Sequence, residues 1–99
     1  MAKRKVKAEE LTLDEAVKQA GPAKVRILGR FLPKLPAMIA RCEVERLTGG
    51  LVSQKTVAYD DCMGLGPRVR IKFRQKVVYP AEYFLEYLES RKVKVIVVQ

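Results

Sequence analysis

The residues best placed to do chemistry lie between Arg68 and Tyr79, in the run RVRIKFRQKVVY. Basic and apolar types alternate there with period two. Arg68, Arg70, Lys72 and Arg74 therefore share one face of an extended strand, and Val69, Ile71 and Phe73 the other. Gln75 and Lys76 can turn the chain, and Val77, Val78 and Tyr79 can return as a partner strand. The expectation is a hairpin with an apolar underside and a cationic outer edge. Its chemistry would be electrostatic, because closely spaced guanidinium and ammonium groups suit a phosphate backbone. If Arg68, Arg70, Lys72, Arg74 and Lys76 all reach phosphates, log affinity should fall with log salt at a slope of about −4 to −5 from them alone. The plainer reading is an edge strand protected by charge, since lysines and arginines also block edge-to-edge pairing.

A second set of polar groups precedes the hairpin. Ser53 is a good N-cap for a helix over 54–63. The helical step places Val57, Ala58 and Cys62 on one side and Lys55, Thr56, Tyr59 and Asp60 on the other. Gln54 can pair with an adenine edge, and Lys55 can reach guanine or a phosphate. Tyr59 can hydrogen-bond a phosphate or cover the base of the hairpin. Ser53 is read first as a cap and second as a phosphate contact. Asp60 is expected to be exposed and clear of any nucleic acid, or else to accept from a cytosine amino group. Asp61 is expected on the packed side, paired with a hairpin arginine. Val69, Ile71, Phe73, Tyr79, Phe84 and Leu88 are assigned to the core.

The remaining composition narrows the function. The chain has 99 residues and a formal net charge of +9, which favours a polyanionic partner. Its length suits one domain and is too short for two good cores. It has no histidine, so the usual general base near neutral pH is missing. It also lacks a P-loop and a glycine-rich dinucleotide fingerprint. Cys42 and Cys62 do not form a CxxC pair, which argues against a zinc site; both are read as small buried or half-buried residues in a reducing compartment. The expectation is a cytoplasmic, non-enzymatic protein without cofactor or metal. The start has a basic cluster with no apolar segment behind it, unlike a secretory signal. No apolar run approaches the ~20 residues that span a bilayer, so no membrane partner is expected.

Several elements must position these groups. Residues 1–7 form a basic arm. Thr12 with Glu15 makes a capping box for a first helix that Gly21 and Pro22 stop. Val25 to Leu28 are expected as a short strand. Met38 to Thr48 are expected as a helix with Ile39, Val44 and Leu47 inward, ended by Gly49 and Gly50. Pro80 is expected at the first position of a closing helix whose buried stripe is Ala81, Phe84, Leu85 and Leu88, with Glu82, Glu86 and Glu89 outside it. Lys92 to Val98 are expected as a strand that pairs with 25–28 or with a second subunit. The chain therefore divides into an arm, helix and connector over 1–34, a functional core over 35–91, and a C-terminal strand over 92–99.

Helix, glycine turn, second helix, basic hairpin and closing helix follow in the order of a winged helix-turn-helix. The matching residues are Glu43, Val44, Leu47 and Thr48 at the first helix end, and Ser53, Lys55 and Thr56 at the start of the second. Gly64, Gly66 and Pro67 stand before the wing, Arg74, Val77, Tyr79 and Pro80 at its exit, and Leu85 and Leu88 in the closing helix. This ordered set resembles the excisionase and AlpA-type prophage regulators, small winged-helix proteins related to the DNA-binding part of MerR-type regulators. The resemblance covers about half the chain. It implies an α+β fold with a two-stranded basic wing, flanked by an N-terminal helical extension and a C-terminal strand. It implies sequence-specific binding of double-stranded DNA, with Ser53, Gln54, Lys55, Thr56 and Tyr59 in the major groove and Arg68, Arg70, Lys72, Arg74 and Lys76 on phosphates or the minor groove. The job would be that of a recombination directionality factor or a transcription regulator of a mobile element, with an integrase or recombinase, or a second copy, as further partner. Two other classes compete: an antitoxin-like or recombinase-binding adaptor, which the Val93–Val98 edge would suit, and an RNA-binding module, which the 7% aromatic content makes poor at stacking bases.

Overall fold

Local signals start and stop most of the helices. The computed structural model describes residues 12–98; the expected basic arm lies outside them. Helix α1 (Leu13–Ala20) begins at a complete capping box: Glu15 N–H donates to the Thr12 hydroxyl, and Thr12 N–H donates to the Glu15 carboxylate. A 3-10 turn spans Gly29–Lys34. Strand β1 (Met38–Ala40) and a second 3-10 turn (Arg41–Glu43) lead into the short helix α2 (Val44–Leu47). Gly49 and Gly50 close α2 with φ of 64° and 86°, and Gly50 N–H donates to the Glu45 carbonyl, a Schellman ending that needs a left-handed backbone. Ser53 caps α3 (Gln54–Cys62) by accepting from Thr56 N–H. Strands β2 (Ile71–Phe73) and β3 (Lys76–Pro80) form the hairpin, and α4 (Ala81–Ser90) follows directly.

The fold is α+β, with an antiparallel three-stranded sheet in the order β1-β3-β2. Ile39 pairs with Tyr79 and Ala40 with Val78 across β1 and β3; Ile71 pairs with Val78, Lys72 with Val77 and Phe73 with Lys76 across β2 and β3. The core gathers Ile39, Val44, Val57, Tyr79, Phe84 and Leu88, all buried. Tyr79, Phe84 and Tyr87 contact one another through their rings, with neighbouring centroids about 6 Å apart (6.1 and 6.0 Å).

Four expectations about elements are overturned. Met38–Thr48 is not one helix: its first three residues pair with β3, because a sheet partner supplies hydrogen bonds that so short an apolar run can take as either structure. Residues 25–28 form no strand. The N–H groups of Arg26, Ile27 and Leu28 instead donate to the Glu89 carboxylate at 2.6–2.8 Å, leaving no ladder to build. Residues 92–98 form no strand either, and Val95 to Val98 stand exposed. Pro80 ends β3 and serves as the N-cap of α4, one residue earlier than expected.

Glu86 and Glu89 thus bind the N-terminal segment to α4. Burial alone would raise both carboxyls. The Arg68 guanidinium and Lys24 N–H outweigh it at Glu86, and three backbone N–H groups outweigh it at Glu89, so both sit below the usual carboxylate value. Val25, Leu28, Leu32 and Leu35 pack against the core above this anchor. The apolar face of α1 stays open, with Leu13 and Val17 exposed.

Candidate nucleic-acid interface

Helix α3 carries two adjacent carboxylates, and the fold turns both inward. Asp61 is 5% exposed. Its Oδ2 accepts from the Tyr79 hydroxyl and from Arg41 Nη2, both at 2.5 Å, while Arg41 Nε donates to the Tyr79 oxygen. Arg70 Nη1 stands 3.5 Å from Asp61 Oδ1, the ion pair with a hairpin arginine that the sequence suggested. Oδ1 accepts no hydrogen bond among the described residues. It crowds Gly66, where an added Cβ would lie 1.8 Å away, so only glycine fits that position. Burial, then the bond to Asp61, pushes the Tyr79 phenol up to about 12.

Asp60 is also buried, which corrects its expected exposure. The Tyr87 hydroxyl donates to its Oδ2 at 2.5 Å, and Arg91 Nε lies at 3.6 Å. Burial and this carboxylate push the Tyr87 phenol upward as well. The reversal arises because residue 60 faces α4, whose position no α3 periodicity reveals. The packed side of α3 is Val57, Asp60 and Asp61, whereas Cys62 is exposed, as is Cys42, against the expectation of buried thiols.

With both carboxylates turned in, the outer face of α3 shows Gln54, Lys55, Thr56 and Tyr59, all exposed, beside half-buried Ser53. This is the polar surface the sequence suggested, now without an anionic side chain from Asp60.

The hairpin departs further. Opposed residues of an antiparallel pair share a face, so Lys72 lies on the side of Val77, Tyr79 and Ile39, which is the core side. Ile71 and Phe73 lie on the other side with Val78 and Lys76. The expected apolar underside is thus inverted: Ile71 is only half-buried, and Phe73, assigned to the core, is 68% exposed. Val69, before the paired stretch, is buried as expected.

The five hairpin cations consequently separate. Arg68 is drawn away as a clamp: its guanidinium donates to both Glu86 oxygens, to the Ala20 and Pro22 carbonyls, and lies 5.6 Å from the Tyr83 ring centroid. That removes it from the set expected on phosphates. Arg70 is held toward Asp61. Lys72, Arg74 and Lys76 are exposed and make no ion pair among the described residues. Arg74 turns the hairpin with φ of 57° and rests its guanidinium 5.3 Å from the Phe73 centroid.

Arg41 is the residue that sequence reasoning missed. It stands twenty positions from Asp61, and nothing in its local pattern signals the pairing. Among the described residues no group of three or more His, Cys, Asp or Glu side chains could hold a metal ion, and no helix is long and apolar enough to cross a membrane. These features define an α+β protein with a cationic hairpin tip and a polar helix face. Compared with protein-family models, curated proteins and solved structures, the chain finds no match.

Proposed function

We propose that this protein binds double-stranded DNA without catalysing a reaction, as a winged helix-turn-helix of the excisionase and AlpA type. Helix α3 enters the major groove with Gln54, Lys55, Thr56 and Tyr59, and the β2–β3 hairpin acts as the wing, with Lys72, Arg74 and Lys76 on phosphates. The observation that carries this is the sorting of charge. Both α3 carboxylates are buried against tyrosines and arginines, while Lys55, Lys72, Arg74 and Lys76 remain exposed. The order of strand, helix, helix, hairpin and helix supports the same reading. In a cytoplasmic setting the role would be a directionality factor for a recombinase or a transcription regulator of a mobile element.

With Lys55 on a phosphate at the groove edge beside Lys72, Arg74 and Lys76, four phosphate contacts predict a slope of log affinity against log salt of about −3.6, shallower than the five hairpin contacts first expected. Salt-dependent fluorescence anisotropy on generic duplex DNA tests this. The Lys55→Ala/Lys76→Ala double variant should flatten the slope by about two units. Absence of duplex binding at low salt would overturn the proposal.

One observation favours a second reading, as an adaptor. Val95, Ile96, Val97 and Val98 are exposed at 69%, 77%, 77% and 87% with no sheet partner, a segment suited to adding a strand to a recombinase or a second copy. Light scattering at high salt, with and without residues 92–99, distinguishes it: self-association that requires the tail supports the adaptor role.

A further inference from the structure

The hairpin tip places an aromatic ring where an aromatic ring is costly. Phe73 ends β2 on the face turned from the core, and it is 68% exposed. Lys76 stands directly across the strand pair, and the Arg74 guanidinium lies 5.3 Å from the ring centroid. Arg74 holds a left-handed φ of 57° at the first position of a two-residue turn, where glycine sits with less strain. A bare ring flanked by two cations is poorly suited to an apolar protein pocket, because both charges would lose water without gaining a partner. A nucleic acid answers both needs at once, with phosphates for the cations and a base face for the ring.

We propose that Phe73 is a wedge: with α3 in the major groove, the hairpin tip enters the adjacent minor groove, and the ring slides between two base pairs and unstacks them. The inference rests on the duplex-binding reading above and names the distortion that binding produces. The minor groove is about 6 Å wide, so it takes in the tip of the two-residue turn and not the strand pair behind it. Phenylalanine belongs to the apolar side chains that open a base step from that side, bending the duplex toward the major groove. Arg74 and Lys76 then hold the phosphates on either side of the opened step, and Arg74, already against the ring, keeps it from folding back onto the sheet.

Unwinding can be read without knowing the target sequence. Closed circular DNA is relaxed with a topoisomerase in the presence of the protein, stripped of protein, and its topoisomers are resolved by electrophoresis. Binding to duplex and single-stranded oligonucleotides is measured in parallel by anisotropy across a salt series, so that every variant is compared at equal occupancy. The wild type should leave the circles underwound. Phe73→Ala should retain the salt slope and the thermal melt, since the ring is exposed, yet abolish the change in linking number. Phe73→Leu should keep most of it. Duplex binding with no change in linking number, or a Phe73→Ala variant that unwinds like wild type, overturns the wedge and leaves duplex binding standing. No duplex binding overturns both proposals. A preference for single strands that depends on Phe73 replaces the wedge with a stacking platform.

Discussion

At the root of the β2–β3 hairpin Arg68 and Arg70 face carboxylates, whereas at its tip Lys72, Arg74 and Lys76 face water. Both sets are cationic at neutral pH, and they follow one another at two-residue spacing along the chain. The difference lies in what α3 and α4 place opposite each position. Glu86 on α4 and Asp61 on α3 reach the root, and no ion pair reaches the tip among the described residues. A paired arginine loses its value as a phosphate ligand, because its carboxylate must first be displaced. The root cations therefore secure the architecture, and the tip cations stay solvated, the ones that would meet phosphate under the proposed DNA binding.

The sharpest way to break this contrast is at Asp61. Asp61→Ala leaves Arg41 and Arg70 without their counter-charge and the Tyr79 hydroxyl without its acceptor. It should cost about 3–5 kcal/mol in urea denaturation, a large share of the roughly 5–15 kcal/mol that stabilises a domain of this size. Lys72→Ala, at the tip, should stay within about 0.5 kcal/mol of wild type.

High pH attacks the root next. The folded state holds the Tyr79 proton more tightly than the unfolded chain, whose phenol titrates near 10.0. That stabilisation is complete below pH 10 and is lost as pH rises toward about 12. The loss should be on the order of 2–3 kcal/mol, seen as a falling denaturation midpoint that Tyr79→Phe makes less steep.

Low pH should act elsewhere. Glu86 and Glu89 have folded values below 4.5, so their contribution is present above that pH and declines as pH falls through the lower folded values. Hydrogen exchange at the Arg26, Ile27 and Leu28 amides should accelerate before the core opens. Glu89→Gln should show that fast exchange already at neutral pH.

A small effect of the opposite sign is expected at the turn. Arg74→Gly removes a side chain from a left-handed backbone and should leave stability unchanged or raised by up to about 1 kcal/mol. The same change should weaken duplex binding and reduce the salt slope by about 0.9. A stabilised variant with weakened binding would separate folding from function at the tip, which the root does not permit.

Much of the scaffold was legible without coordinates, because its signals act within a turn of the chain. The Thr12–Glu15 capping box, the Ser53 cap, the Gly49–Gly50 ending and the Ala81, Phe84, Leu85 and Leu88 stripe all stand where their spacing predicts. The inward turn of Asp61 toward a hairpin arginine was also readable, since both lie on adjoining elements. Less of the candidate site was legible. RVRIKF alternates equally well with either face inward, and the pairing of Lys72 with Val77, not the pattern, decides which face meets the core. That single parity moved Phe73 from the core to the surface.

By itself, then, the sequence determined the caps that start α1 and α3, the glycines that end α1 and α2, the α+β composition, the strong positive charge and the location of the cationic hairpin, all of which follow from short-range geometry and residue type. Only the tertiary structure decided which cations are free, where Asp60 points, and that the amides of 26–28 serve a carboxylate instead of a strand. Those outcomes depend on groups 18–63 positions apart, and electrostatic and hydrogen-bond partners at that separation are chosen by the packing of whole elements, which no local periodicity encodes.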